Sequence, residues 1–272
     1  MLVLAAISIA IVLILSGYAV SWTGFGAYPI SQQYNHEKTL WDWMNLLIVP
    51  AVIAVGAWFL SRSERENEQK LESDRQRQSA LESYFDCMTD LLIKENLRTS
   101  RHSDEVRSIA RTRTLAVLRV LDEDRKGQAL QFLFESGLIN KNPIIHLTGA
   151  SLHGARLEGA SLVGAEIRGT YLNGAQLRGA NLTDTDLRGS DFDGADLTGA
   201  VLTDADLTMA LLTGAKLEAA DLNGANLTWA DFTNANLKGA EVSDEQLGAA
   251  LSIENSVMPA GKKYKKAIDK IL

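Results

Sequence analysis

Residues 195–229 read ADLTGAVLTDADLTMALLTGAKLEAADLNGANLTW, and one rule generates them. A large apolar residue stands at 197, 202, 207, 212, 217, 222 and 227, with alanine two places before each. Outward from this stretch the period holds from Leu147 to Leu247, 21 consecutive positions. All are Leu except Ile167, Phe192, Phe232 and Val242. From 152 to 242 the residue two places before is always small: Ala, or Thr170, Thr185 and Ser190. The residue two places after is usually Gly. Period five fits neither a 3.6-residue helix nor an alternating strand. It fits a solenoid of short extended pieces and turns, stacked coil on coil.

Segment 147–251 resembles the pentapeptide-repeat proteins, whose pattern is A-(D/N)-L-x-x. Ala195-Asp196-Leu197-Thr198-Gly199 and Ala225-Asn226-Leu227-Thr228-Trp229 carry the likeness. Met258-Pro259-Ala260-Gly261-Lys262-Lys263-Tyr264 resembles this family's usual ending. The resemblance implies a mainly β solenoid, a right-handed quadrilateral β-helix with four pentapeptides per coil. Residues 20 apart then stack, so Phe192, Leu212 and Phe232 share a face. The coils, about 4.8 Å apart, make a rod roughly 25 Å long. The leucine and small-residue columns point inward and fill it, leaving no cavity for a substrate. The open coil ends need covers. The solenoid is placed at 143–251, with a cap and basic tail at 252–272 and a helical unit as the other cap.

The first 60 residues read as a transmembrane helical hairpin. Residues 2–20 are uncharged and span about 28 Å as a helix, close to the ~30 Å hydrocarbon core. A second span is expected at 43–60, with Pro50 tolerated inside it. Trp22, Phe25, Tyr28, Trp41, Trp43, Trp58 and Phe59 suit interfacial aromatic belts. Loop 21–40 carries only Lys38, whereas Arg62, Arg65, Lys70, Arg75 and Arg77 follow the second span. The positive-inside rule puts the long C-terminal part in the cytoplasm. The competing reading, a cleaved signal peptide at 1–20, lacks a basic n-region and an A-x-A site. No ionisable residue lies within either span, so an anchor is expected rather than a transporter. The order hairpin, linker, repeat also resembles membrane-anchored bacterial members of the family, which implies a bacterial cell membrane and the lipid bilayer as a partner.

Residues 61–142 read as a helical stalk followed by a small helical unit. In 61–80 the i,i+4 pairs Arg62/Glu66, Glu66/Lys70 and Lys70/Asp74 support a polar helix. From Leu81 apolar residues fall on one helical face, through Tyr84, Phe85, Met88, Leu91 and Leu92. Ser103 is expected to cap a second helix and Asp122-Glu123-Asp124 to open a third that Gly137 ends. These faces bury against each other, the solenoid or a second subunit, so a homo-oligomer through the linker or the β-helix stays open. Sustained heptads are absent. Arg107, Arg111, Arg113 and Arg119 form a basic run, read either as a solvated face or as a lipid-headgroup or partner contact.

The chain has 272 residues, 27 Lys+Arg and 34 Asp+Glu. Charge is segregated: 144–255 carries 6 basic and 16 acidic groups, whereas 256–272 carries five Lys against Asp269. An acidic chain is a poor direct nucleic-acid binder. The single Cys87 excludes an internal disulfide framework. No phosphate loop, G-x-S-x-G or H-E-x-x-H is present. His36, His102, His146 and His153 have no ligand spacing, and His146 and His153 are expected in solvent. No catalysis, cofactor or metal is expected.

Stacking predicts two surface clusters. Met209 and Trp229 fall on the outward column held by Gly149, Gly169 and Gly189 lower down, and Leu211 lies on the neighbouring column. An apolar patch on a polar rod marks a contact surface. Its occupant is another protein, a second subunit or the chain's own C-terminal segment. The second cluster is acidic: Glu166, Asp184, Asp186, Asp204 and Asp206, beside Arg168 and Arg188. It reads as a solvated edge partly neutralised by those arginines, or as a cation or basic-partner site. The expected function is a membrane-anchored scaffold that presents a rigid β-helix to an unidentified protein partner. The alternative is an acidic DNA mimic regulating a nucleic-acid enzyme such as a topoisomerase.

Overall fold

The structure is a computed structural model that describes residues 40–102 and 104–264, with backbone only for 40–49. The chain divides into two compact units, 1–72 and 73–272. Helix α1 runs Leu40–Ile93 without interruption and contains Pro50. A second span and a separate stalk were expected here; one helix occupies both. Residues 2–20 lie outside the described part. Among the described residues no helix is long and apolar enough to cross a membrane. Arg62 pairs with Glu66 at 3.0 Å and lies over the Trp58 ring.

The second unit begins within α1. A 3-10 turn Leu97–Thr99, helix α2 (Glu105–Val120) and helix α3 (Glu123–Glu135) follow. Asp104 stands at the start of α2; Ser103, the expected cap, is outside the described residues. The acidic start of α3 behaves as its sequence predicts, because Asp122 accepts the Arg125 amide at 3.0 Å. Gly137 ends α3 with φ 69°, and the Leu138 amide reaches back to the Leu133 carbonyl at 2.9 Å. The three amphipathic faces bury one another through Leu81, Met88, Leu118, Leu130 and Leu133. Tyr84 bridges α1 and α2, its hydroxyl 2.9 Å from that of Thr114, and burial holds its pKa well above the usual phenol value. Phe85 and Phe132 close the packing with ring centroids 4.7 Å apart.

From 147 onward the chain winds into a four-sided coil. Parallel bridges join residues 20 apart, from Ser151↔Tyr171 to Asp221↔Glu241. Each side is one five-residue repeat, and each corner is a tight turn. At Leu147–Ala150 the Ala150 amide donates to the Leu147 carbonyl at 2.8 Å while Gly149 takes φ 81°. That is the geometry of a type II turn, whose third residue needs φ > 0. The Asp or Asn before each leucine locks the turn that follows. Asp196 Oδ1 accepts from the Thr198 amide at 3.1 Å and hydroxyl at 2.6 Å. Asn226 does the same for Thr228. The A-(D/N)-L-T-G preference is therefore an Asx turn, repeated at the corners that follow residues 181, 186, 191, 196, 206, 221, 226, 231 and 236.

The leucine column and the small column are buried except for the half-buried Ala160 and Val242, with Phe192 and Phe232 among the largest enclosed side chains. The three inward hydroxyls are satisfied by main chain: Thr170 and Ser190 donate to the Ile167 carbonyl, Thr185 to that of Leu162. That removes the cost of burying them.

Past Leu247 the period slips by one. Helix α4 (Asp244–Gly248), closed by a Ser243/Gln246 capping box, replaces a corner. The next bridges are Asp231↔Ser252 and Asn236↔Val257, 21 apart rather than 20, and Val257 pairs antiparallel with Lys263. The stack thus continues through 252–264. At the other end the helical unit supplies main-chain partners to the first coil. The Arg156 amide donates to the Glu123 carbonyl at 3.0 Å and the Glu166 amide to that of Ile139 at 2.6 Å.

Candidate interaction site

Met209 and Trp229 occupy the third position of two stacked corner turns. Ala210 and Ala230 close those turns on Leu207 and Leu227, and the Met209 amide donates to the Thr228 carbonyl of the next coil at 3.0 Å. Both take left-handed backbone, φ 58° and 61°, where most corners carry glycine. A side chain there costs about 1 kcal/mol or more, and these two gain little burial in return. Met209 is 63% exposed, Trp229 58% and Leu211 44%. Leu211 stands one side over, bridging Asp191 below and Asp231 above. Stacking brings the three expected residues to one edge.

The acidic cluster is gathered on a different corner, in a shallow groove that Lys141 and Arg188 also line. Most of its charge is answered locally. Arg188 clamps Asp186 through Nε at 2.8 Å and Nη2 at 2.6 Å and reaches Asp206 at 3.5 Å. Burial opposes ionisation of Asp186, yet the Arg188 contacts outweigh it and hold its carboxyl below the usual range. Asp206 turns inward onto the Thr208 amide at 3.0 Å. Glu166 accepts the Asn142 amide at 3.0 Å, and Lys141 lies 3.8 Å from Asp184. Among the described residues no group of three or more His, Cys, Asp or Glu is placed to hold a metal ion.

The family model described as pentapeptide repeats matches residues 145–184, 180–218 and 210–244 in eight copies. The chain is similar to a solved pentapeptide repeat protein of the Arabidopsis thaliana thylakoid lumen, at 34% identity over 37% of this chain and 70% of that one, TM-score 0.31. It is similar to alr5209 of Nostoc PCC 7120, at 33% identity over 45% of this chain and 92% of that one, TM-score 0.35. The chain belongs to the pentapeptide-repeat family. HetL of Nostoc sp. strain PCC 7120, involved in heterocyst differentiation regulation, is 34% identical over 44% of this chain and 64% of that one, TM-score 0.25. The comparison with curated proteins gave no match. Membership makes the solenoid a right-handed β-helix, and pentapeptide-repeat proteins are generally non-enzymatic structural or interaction proteins.

In this pentapeptide-repeat chain Arg111 of the basic run, His146, which was expected in solvent, and Lys126 prove to pack at the first coil. Arg111 donates from Nε to the His146 carbonyl at 3.0 Å and from Nη2 to that of Thr148 at 2.9 Å. Arg107 folds onto Ser100. These two do not belong to a free basic face. His146 is half-buried and packs edge-on against His102, centroids 5.3 Å apart; burial, then the neighbouring His102, pushes its pKa down. Lys126 is buried and donates to the His153 carbonyl at 2.9 Å. No local sequence signal marks the Arg111 and Lys126 contacts, because each joins a helix to a coil 27 or more positions away.

Proposed function

We propose that this chain is a scaffold that presents its rigid β-helix for protein–protein contact and is tethered to a bacterial cell membrane, C-terminal part in the cytoplasm. The observation that carries the contact reading is the Met209–Leu211–Trp229 edge. Exposed apolar side chains in left-handed backbone have no use to the fold itself, and such positions concentrate at functional sites. The tether is supported by the two uncharged stretches, 2–20 and 44–60, and by the basic residues that follow the second. It is also supported by Val52, Ile53, Val55, Trp58, Phe59 and Leu60, all exposed although apolar. A helix apolar on every side is at home in lipid or in a protein core.

The mimic reading rests on acidity alone. Against it, many carboxylates of the rod are committed to Asx turns and arginine contacts. The test is proximity labelling from a C-terminal tag in intact cells, native chain against Trp229→Ala. A membrane-proximal protein set that disappears in the variant is expected. An unchanged set removes the edge from partner binding, and a set dominated by topoisomerase or nucleoid proteins replaces the scaffold by the mimic.

A further inference from the structure

One side of the β-helix joins acidic and apolar groups, and none of its outward positions from 171 to 254 is lysine or arginine. Up the rod the residues before its inward column run Tyr171, Asp191, Leu211, Asp231, bridged coil to coil. Leu251 adds the next step, its amide donating to the Ala230 carbonyl as that of Asp231 does to Ala210. Tyr171 is 53% exposed and Leu251 58%. Met209 and Trp229 stand on the corner beside this column. Asp191 and Asp231 each hold their own turn through Oδ1, on the Asp193 amide at 3.0 Å and the Thr233 amide at 2.9 Å. Among the described residues no ion pair answers either carboxylate, nor those of Asp193 and Glu254 on the same side. The other sides differ. One carries Arg178 and Lys216, both directed at Asp196. Another carries Arg188 on Asp186. The last has only Val163 and Val201 as outward apolar residues.

We infer that this side docks a basic amphipathic helix of another protein, laid along the rod. The inference rests on reading the Met209–Trp229 edge as a docking surface and names the chemistry of its partner. Charge selects a basic partner, because ammonium or guanidinium groups complement carboxylates that nothing in the rod answers. Spacing selects a helix. Apolar and acidic groups alternate once per coil, about 4.8 Å. A helix meets a surface every three to four residues, about 5.3 Å apart, so its successive contacts keep pace with the coils, apolar then basic. An extended strand turns one face to the surface every second residue, about 6.7 Å apart, and falls out of step at the first coil. A second copy of this chain fits poorly. Two columns related by a two-fold axis set aspartate against aspartate when leucine meets leucine, and aspartate against leucine otherwise; both are unfavourable.

The full column separates the two partner shapes most clearly. From Tyr171 to Leu251 the rod rises four coils, about 19 Å. A helix covers that distance in about 13 residues, a strand in about 6.

The test is photo-cross-linking of the full chain in intact cells, with p-benzoylphenylalanine in place of Tyr171 in one version and of Leu251 in another, read by peptide mass spectrometry. Both positions are exposed, so the fold accommodates the probe. One partner protein is expected from both versions. Its two linked residues should lie about 13 apart in sequence, in a segment with lysine or arginine between its apolar residues. Asp191→Asn/Asp231→Asn should lower the yield about fivefold, the loss of two exposed charge pairs. The fold survives that change, because Asn226 and Asn236 hold the same turn. Linked residues about 6 apart, an acidic segment, links between two copies of this chain, an unchanged yield in the asparagine pair or no links at all overturn the inference. The two readings fail separately. Any of those results with a labelled set still lost in Trp229→Ala sinks only the basic helix; no links together with an unchanged set sinks the docking surface as well.

Discussion

Gly127 and Arg156 meet backbone to backbone: a Cβ added to Gly127 would overlap the Arg156 carbonyl oxygen. Gly127 lies inside helix α3, where glycine is about 1 kcal/mol worse than alanine. Helix propensity therefore predicts that Gly127→Ala stabilises the protein. The close approach predicts the reverse, because the obstacle is main chain of the first coil and overpacking costs about 1–3 kcal/mol. The same contact positions the Glu123 carbonyl for the Arg156 amide. A lower Tm for Gly127→Ala is expected in thermal unfolding, and a raised Tm would show that α3 is not seated on the coil.

The solenoid was legible because every repeat restates its own core: Leu147 to Leu247 mark the inward column without reference to anything distant. The Met209–Trp229 edge was legible for the same reason, since a stacking rule converts a spacing of 20 into contact. What escaped was whatever breaks the period or depends on a remote partner. The slip at Leu251–Ser252 follows helix α4, which carries Leu247 itself and so leaves the five-residue count undisturbed up to that point. Arg111 and Lys126 look like any solvated basic residue until the carbonyls of His146 and His153 arrive from the coil. The run of helix across both the apolar stretch at 43–60 and the polar stretch at 61–80 was hidden because each half suggests a different environment while both favour helix.

Acid should loosen the β-helix through its Asx turns. Burial opposes ionisation of Asp196, but the Thr198 hydroxyl and amide, with Arg178 and Lys216 nearby, lower its pKa overall. Asp186 and Asp221 are lowered too. A carboxyl with a lowered folded pKa contributes stability fully above its unfolded value of about 3.9, and loses it as pH falls towards the folded value. Tm should therefore be flat in mild acid and fall below about pH 4. Asp196→Asn keeps the turn, as Asn181, Asn226 and Asn236 do at equivalent corners, and removes the titration. A shallower acid slope with little change in Tm at neutral pH is expected; an unchanged slope would clear Asp196 of the effect.

Phe232 is fully buried one coil above Leu212, and Phe192 lies one coil below it. Five residues per side leave no room for rearrangement around a lost ring. Phe232→Ala should cost about 3–5 kcal/mol, seen as a lower midpoint in urea. Phe232→Leu restores the residue type of most repeats and should cost less than half as much. Equal losses from both would mean that the ring is held by a specific contact rather than by volume.

Trp229→Gly separates a structural from a functional role. The backbone at 229 is left-handed, so glycine relieves about 1–2 kcal/mol of strain. Its greater freedom in the unfolded chain offsets roughly 0.4–1 kcal/mol of that. The exposed indole contributes little burial to weigh against the gain. Thermal unfolding of the full chain should therefore show an equal or slightly higher Tm, while the protein set captured in cells shrinks as it does for Trp229→Ala. A Tm that drops by several degrees would mean that the indole is packed within its own molecule strongly enough to matter for folding.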